Sequence, residues 1–336
     1  EINDNPVRWF KENHPIRVAD TVLNEHFAGT YDAFVVLTHS DKQAFSEFVV
    51  SAHNLLDTLG EPYSTPIREM LARDSEDKGA WYGNLIATTD DALFDAEGPE
   101  TIDTLERLMA LAEDAQVESK YFQRPDILEY ISGIQRALTD SGFVGKSNTV
   151  ADVVKVVNRE LRGGDDSVYR IPATVPAVAQ TLMQYQSSHR PQDLWHIVTP
   201  DFTSTAIWMQ FKSGDNQDMS LAMDFLDTYI ADNPLPANIE MRWAGKTFIN
   251  VVWQDVMVAG MLKSLMGAFV VVFLMMAFLF RSARIGLLAM VPLTVTILGV
   301  YGVIGWIGKD YDMPIAVLSS LTLGLSVDFA IHFIER

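Results

Sequence analysis

The strongest constraint on this chain is a set of three long apolar runs at its carboxyl end. The runs cover about residues 257–280, 285–307 and 313–334, and their only charged residues are Lys263 and Asp328. As helices, they would each be roughly 35 Å long, enough to cross a hydrocarbon core of about 30 Å. A helix in a soluble protein seldom stays apolar on every face over this length, so the runs predict three transmembrane helices.

The remainder of the chain is strongly acidic. Residues 1–256 hold 20 Lys/Arg and 40 Asp/Glu, whereas residues 257–336 hold five and four. This surface argues against a nucleic-acid partner, because such binding depends on Lys and Arg neutralising phosphates. The chain has no cysteine, which excludes disulfides, thiolate metal sites and cysteine nucleophiles.

The charges in the short loops predict the orientation of the spans. Arg281 and Arg284 lie between the first two spans, and Arg336 follows the third. The loop between the second and third spans, residues 308–312, has a net charge of −1. Cytoplasmic loops carry an excess of Lys and Arg, so we expect the three arginines in the cytoplasm and residues 1–256 outside it.

Residues 1–256 have the pattern of an α+β domain with a helical insertion. The insertion, residues 41–124, separates the start of the domain (1–40) from its remainder (125–256), and we expect only short helices, near 66–73 and 89–95, within its turn-rich part. Elsewhere the periodicity predicts strands at 31–39, 143–144, 204–211 and 238–243 and helices at 125–140, 148–161, 174–187 and 218–231, with Ser147 capping the second. Strand, helix and strand occur twice in this order, which predicts two split βαβ subdomains.

Asp328 is the residue of the sequence that points most directly to a chemical function. A carboxylate near the middle of a span costs roughly 2.5–3.5 kcal/mol on insertion scales, and such residues face a bundle interior or carry protons. His332 follows one helical turn later on the same face, and histidine titrates near neutral pH. Asp328 and His332 are therefore our candidate proton relay. The alternative is a structural hydrogen bond between helices, and for Glu335 a solvated helix end is the favoured interpretation.

The sequence offers no enzyme signature. The six histidines of residues 1–256 lack metal-ligand spacing, and no GxSxG or HExxH motif is present. The stretch GFVGKS at 142–147 has Asp140 where a phosphate-binding loop needs glycine. We therefore predict no catalytic residues, no metal site and no cofactor.

Four stretches resemble the resistance-nodulation-division (RND) superfamily of transporters. The third is similar to the positively charged turn between two spans of that superfamily, and the fourth to its fourth-span motif. The stretches are NDNPVRWF (3–10), HPIRVADTVLNEHFAGTYDAFVVL (14–37), FLFRSARIGLLAMVPL (278–293) and GLSVDFAIHFIER (324–336). The sequence looks closest to the predicted hydrophobe and lipid exporters, a branch that is similar to hopanoid and mycolate exporters.

The resemblance implies that the runs are spans two to four of a twelve-span protein built from two six-span halves. One half would then be represented here, with a first span upstream and the second half of the same chain downstream. The extracytoplasmic residues would form porter subdomains of the ferredoxin-like, split βαβ type. Asp328 falls on the family's fourth-span acid. Phe329 stands where mycolate exporters have tyrosine, so this position has no side-chain hydroxyl to assist the relay.

The function implied by the resemblance is secondary active transport, namely proton-driven efflux of lipids or other hydrophobic molecules from a bacterial inner membrane. Its expected partners are membrane lipids and the lipid substrate. The insertion at residues 41–124 is either a docking surface for a periplasmic partner protein or a lid, and the resemblance does not decide between them. Two alternatives stay open: a lipid-sensing or scaffolding membrane protein without net transport, and an RND-type aid to protein translocation.

Overall fold

The computed structural model describes residues 3, 5–40, 42–73, 75, 77–309, 314–315, 317–318, 321–322, 324–325, 329 and 332. The chain divides into two compact units. The first unit comprises Glu1–Asp32, Phe211–Asp224 and Gly245–Arg336, and the second unit comprises Ala33–Gln210 and Phe225–Ala244.

The described part of the chain contains eleven α-helices and four strands. The helices are α1 (Pro15–His26), α2 (Lys42–Leu56), α3 (Ser64–Leu71), α4 (Lys78–Phe94), α5 (Pro99–Ser119), α6 (Pro125–Asp140), α7 (Val150–Leu161), α8 (Val175–Gln186), α9 (Asn216–Asp232), α10 (Lys246–Leu279) and α11 (Ala283–Ile307). The strands are β1 (Tyr31–His39), β2 (Val144–Asn148), β3 (Ser204–Phe211) and β4 (Ile239–Ala244). Short 3-10 helices lie at Pro6–Trp9, Tyr121–Gln123, Asp166–Val168 and Pro191–His196.

The strands form one four-stranded sheet in the order β2-β3-β1-β4. β1 and β4 pair antiparallel, with Phe34 opposite Ala244 and His39 opposite Ile239. The alternation of apolar residues along β1 buries Ala33, Val35 and Leu37 completely, as expected for a strand with one face on a core.

Both predicted strand–helix–strand segments are split, but their strands share this one sheet. β3 lies between β1 and β2, and β1 lies between β3 and β4. The first segment contains β1 and β2, and the second contains β3 and β4. Therefore β3 separates the two strands of the first segment, and β1 separates the two strands of the second. A pair of strands gains independent stability only with further strands or a covering helix, which explains why the segments interlock instead of forming two separate sheets.

Helices α2 to α5 form a helical block with its own apolar core. Along α2, Phe48, Ala52 and Leu56 recur every four residues, so they line one face of the helix and are buried. The aromatic rings of Phe48 and Tyr82 meet edge to face at 5.0 Å between centroids. The buried core residues are Phe48, Ala52, Leu56, Leu59, Ile67, Met70, Leu71, Trp81, Tyr82, Leu85, Leu105, Leu108 and Ala112.

Two local predictions in this unit were wrong. The expected short helix near 89–95 is the end of the 17-residue helix α4, which begins after Asp77, whose carboxylate accepts a hydrogen bond from the Ala80 N–H. Helix α7 is capped by Thr149 and not by Ser147, since Thr149 and Asp152 form a capping box. Ser147 lies in β2 instead. In contrast, the predicted helix 125–140 and strand 204–211 are confirmed as α6 and β3.

In the described part of the chain, α10 and α11 are long and apolar enough to cross a membrane, each with a mean hydropathy of 2.2. Their apolar side chains are mostly exposed; Phe278 is 87% and Trp306 89% exposed. The third predicted span, 313–334, lies mostly outside the described residues. With 34 residues, α10 is about 50 Å long and exceeds a hydrocarbon core of about 30 Å by some 20 Å.

Candidate functional site

The predicted proton relay is only partly within the described residues. Asp328 and Glu335 lie outside them, so the placement of Asp328 stays a prediction. His332 is described, and it is helical and exposed.

The first unit carries a buried polar cluster at the amino-terminal end of α10, which the sequence analysis did not identify. It consists of Asn3, Asn5, Asp215, Asn216 and Gln254, each at most 8% exposed. We call it the α10 polar cluster. Buried polar groups need hydrogen-bond partners, so a group of five requires a specific arrangement of the segments that carry them.

Asn216 is the centre of the cluster. Its side-chain Nδ2 donates to Oε1 of Gln254, more than two turns into α10, at 2.8 Å. Its backbone N–H donates to Oδ1 of Asn3 at 3.2 Å. The Asn216 side chain is 1% exposed, and among the described residues its Oδ1 has no hydrogen-bond partner. The cluster is thus short of one donor.

Asp215 binds the amino-terminal segment to the same place. One carboxylate oxygen accepts a hydrogen bond from Asn5 Nδ2 at 2.7 Å, and the other pairs with the guanidinium of Arg8. The Arg8 side chain is 49% exposed, so this ion pair is open to solvent on one side. Asn5 also accepts a hydrogen bond from the Val7 N–H and so begins the short helix that carries Arg8.

Two further contacts fix the surroundings of the cluster. The Thr247 hydroxyl, in the first turn of α10, donates to the carbonyl of Asp32 at 2.8 Å. Gly214 packs against the Tyr31 ring, where an added Cβ would lie 2.3 Å from a ring carbon, so this position requires glycine. The Tyr31 hydroxyl donates to Asp20 on α1, and burial together with this hydrogen bond raises the pKa of Tyr31.

The hydrogen bonds of the α10 polar cluster hold separate parts of the chain together. They attach two segments that are far apart in sequence, residues 3–8 and 213–216, to residues 247–254 of α10. Among the residues that the structure describes, no group of three or more His, Cys, Asp or Glu side chains could hold a metal ion. The only sequence signal was a pair of amide- and carboxylate-rich stretches, NDN at 3–5 and SGDN at 213–216.

At their membrane-length portions, α10 and α11 pack closely against each other. Met276 of α10 and Ala289 of α11 are buried in one contact, and Leu293 is buried in a second. At Gly286 an added Cβ would lie 2.9 Å from the backbone of Ala277. Small residues at such crossings allow the backbones of membrane helices to approach.

Comparison with known proteins gives one distant likeness. The chain is 20% identical over 167 residues to a "putative membrane protein" of Methanocaldococcus jannaschii, an alignment that covers 49% of this chain and 42% of the relative. No protein-family model matches the chain. No solved structure matches it either.

The class of protein follows from these findings at a coarse level. The exposed apolar helices α10 and α11 need a non-aqueous environment, and the similar protein is described as a membrane protein. The chain is a membrane-associated protein. The chain spans less than half of its relative's length, so this similarity does not give the activity of the whole protein.

Proposed function

We propose that this protein is an RND-type secondary transporter that uses proton influx to export lipids or other hydrophobic molecules across a bacterial inner membrane. In this proposal the protein is multi-pass, residues 1–256 are extracytoplasmic and Asp328 carries the proton, with His332 as its relay partner. The helices after β4 then connect the proton pathway to the domain that handles substrate.

The observation that carries the proposal is the continuity of α10. One uninterrupted helix bears the α10 polar cluster at one end and a membrane-length apolar segment at the other. A helix transmits displacement along its axis because its backbone hydrogen bonds hold it rigid. A shift of the membrane helices on protonation of Asp328 would therefore move Gln254 and Thr247 relative to the segments they bind.

The hydrogen-bonding deficit of the cluster supports this role. A buried acceptor without a donor costs about 1–3 kcal/mol, and such groups in native proteins commonly mark stored strain or function. Among the described residues, Asn216 Oδ1 is such an acceptor, and we assign the α10 polar cluster the role of an element with two alternative hydrogen-bonding arrangements. A two-state element of this kind is what alternating-access transport needs.

The proton step is tested with the complete protein in liposomes that contain a pH-sensitive dye. With acid outside, we expect the wild-type lumen to acidify and the Asp328→Asn lumen to stay near its starting pH, because an amide cannot carry a proton. The control is Glu240→Gln, which neutralises an exposed carboxylate on β4. Equal acidification by wild type and Asp328→Asn would overturn the proposal and favour a sensing or scaffolding protein.

The coupling step is tested in the same liposomes with a fluorescently labelled phospholipid as cargo. Gln254→Met keeps the size of the side chain but removes the acceptor for Asn216, so we expect lipid export to fall at least tenfold while proton entry persists. Asp255→Asn, one residue further along α10 and exposed, serves as the matched control. Unchanged export in Gln254→Met would show that the α10 polar cluster does not couple the two processes.

A further inference from the structure

The second unit contains a cavity in its helical block. It has a volume of about 630 Å³ and lies between α2, α4 and α5, closed at one end by the last residue of β1 and the turn at Asp201–Thr203. Small-molecule sites usually have volumes of about 300–1,000 Å³, with apolar walls and a few polar groups. The size of the cavity is therefore that of a binding site for an organic molecule.

One wall of the cavity is aromatic. Phe45 and Phe48 of α2 meet Tyr82 of α4 edge to face, with ring centroids 6.1 and 5.0 Å apart. Leu111 of α5 extends this apolar surface. Because Phe48 and Tyr82 are anchored in the core of the helical block, the wall is preformed and needs little ordering when a ligand binds.

Acidic side chains also line the cavity. Asp114 and Glu118 lie one turn apart on the face of α5 that carries Leu111, and like charges at this spacing repel each other. Among the described residues, the Asp114 carboxylate has no hydrogen bond or ion pair. A cation bound between these two carboxylates would relieve their repulsion.

A third carboxylate is held in place at the end of the cavity. The Asp201 side chain accepts hydrogen bonds from the Thr203 hydroxyl at 2.8 Å and the Thr203 N–H at 3.2 Å. Burial alone would raise the pKa of Asp201, but the hydrogen bonds from Thr199 and Thr203 outweigh it and lower the pKa. Asp201 therefore stays ionised at neutral pH and contributes a fixed negative charge.

The lysines of the cavity do not balance its acids. Among the described lining residues, Lys42 and Lys78 face the carboxylates of Glu47, Asp114, Glu118 and Asp201. The Lys78 ammonium lies 4.0 Å from the centroid of the Phe45 ring, which shows that the aromatic wall accommodates a cation. The net charge of the lining thus favours a positively charged ligand.

We propose that this cavity binds a bulky hydrophobic organic cation, with its apolar groups on the aromatic wall and its charge beside Asp114 and Glu118. The assignment of this ligand as a transported molecule rests on the proposed function, whereas the binding itself does not. The helical block would then be a ligand-binding element of the protein.

The test uses two probes of nearly the same shape and opposite charge, tetraphenylphosphonium and tetraphenylborate. Each is equilibrated by dialysis against the complete protein in detergent micelles, with protein-free micelles as the reference. We expect the protein to bind tetraphenylphosphonium at least tenfold more tightly than tetraphenylborate. Absence of binding, or equal binding of both ions, would overturn the proposal.

Substitutions locate the site. The double variant Asp114→Asn with Glu118→Gln should weaken tetraphenylphosphonium binding at least tenfold, and Leu111→Trp should abolish it by filling the cavity. Glu113→Gln, an exposed residue of the same helix that does not line the cavity, should stay within twofold of wild type. The charge variants change exposed side chains, so they keep the test valid if Leu111→Trp fails to fold.

A last variant separates this proposal from the previous one. Asp328→Asn should bind tetraphenylphosphonium like wild type, since equilibrium binding needs no proton gradient. Equal proton entry in Asp328→Asn and wild type, with unchanged binding, would thus overturn only the proposed function. Unchanged binding in the cavity variants, with proton entry still dependent on Asp328, would overturn only the site. If the cavity variants and Glu113→Gln all bind like wild type, the cation binds elsewhere and the proposal is wrong.

Discussion

The helical block and the pair α10–α11 are both rich in apolar residues, yet they place them in opposite ways. In the block, Trp81 is 1% exposed, and its indole N–H donates to the carbonyl of Arg73 at 2.8 Å. In the pair, Trp306 near the end of α11 is 89% exposed. The same residue type is a core residue in one region and a surface residue in the other.

The difference indicates which solvent each region faces. A helix in water must hide its apolar residues, so α2 to α5 bury one face each and expose the other. In the most apolar stretches of α10 and α11, only 6% and 22% of the residues are buried. Exposed apolar surface on this scale is stable in lipid, and a tryptophan near the end of a span suits the membrane interface.

The largest expected effect is the difference in unfolding free energy between variants of these two tryptophans. Trp81→Ala removes a buried aromatic side chain and should lower the free energy of unfolding by about 3–5 kcal/mol, whereas Trp306→Ala should change it by less than about 0.5 kcal/mol. Thermal unfolding of the complete protein in detergent micelles, followed by circular dichroism, measures both. Equal losses would mean that Trp306 is buried in the native protein and that the contrast fails.

A second pair of variants tests directly whether water or lipid surrounds each helix. Val271 on α10 and Val50 on α2 are similarly exposed, 63% and 57%. Val271→Lys should disfavour membrane insertion by roughly 2.5–3.5 kcal/mol, because the middle of a span excludes charge. Val50→Lys should be neutral within about 0.5 kcal/mol, because its side chain already faces water.

The insertion of both lysine variants can be measured as the fraction of protein that resists alkaline extraction from membranes. A normal yield of inserted Val271→Lys protein would contradict the assignment of α10 to the lipid phase. A large loss for Val50→Lys would instead show that the exposed face of α2 has a partner.

The smallest expected effect tests the close packing of α10 against α11. Gly286→Ala forces α11 away from the backbone of Ala277 and should cost about 1–3 kcal/mol, as overpacking does in tight contacts. Gly299 lies on the same helix with nothing within 4 Å, so Gly299→Ala should be neutral or slightly stabilising. The thermal midpoints of the two variants in detergent should therefore differ in sign or size. Identical midpoints would show that the helices do not cross at Gly286.

Much of the local structure could be predicted because its periodicity is strong. The helix at 125–140 and the strands at 31–39 and 204–211 were predicted with the observed bounds. Helix α4 was not, because Gly79 and Gly83 weaken its helix propensity and its buried row of Trp81, Leu85 and Thr89 includes a polar residue. Tertiary packing against α5 decides this helix.

The candidate sites differ in whether the sequence alone could reveal them. Asp328 was recognisable from sequence alone, because a carboxylate within an apolar run is unusual wherever it points. The α10 polar cluster was not recognisable, because Asn5, Asp215 and Gln254 are ordinary polar residues until folding buries them together. The cavity in the helical block was likewise invisible, since Asp114 and Phe45 belong to different helices.

The sequence by itself determined that this chain contains membrane-length apolar segments, an acidic remainder and a titratable group within an apolar run. These properties are sums or short-range patterns along the chain, and water or lipid responds to them directly. Only the tertiary structure decided that two strand–helix–strand segments share one sheet, and that α10 continues from the apolar segment into a buried polar cluster. Such outcomes depend on contacts between residues hundreds of positions apart, where hydrogen-bond satisfaction and close packing select one arrangement.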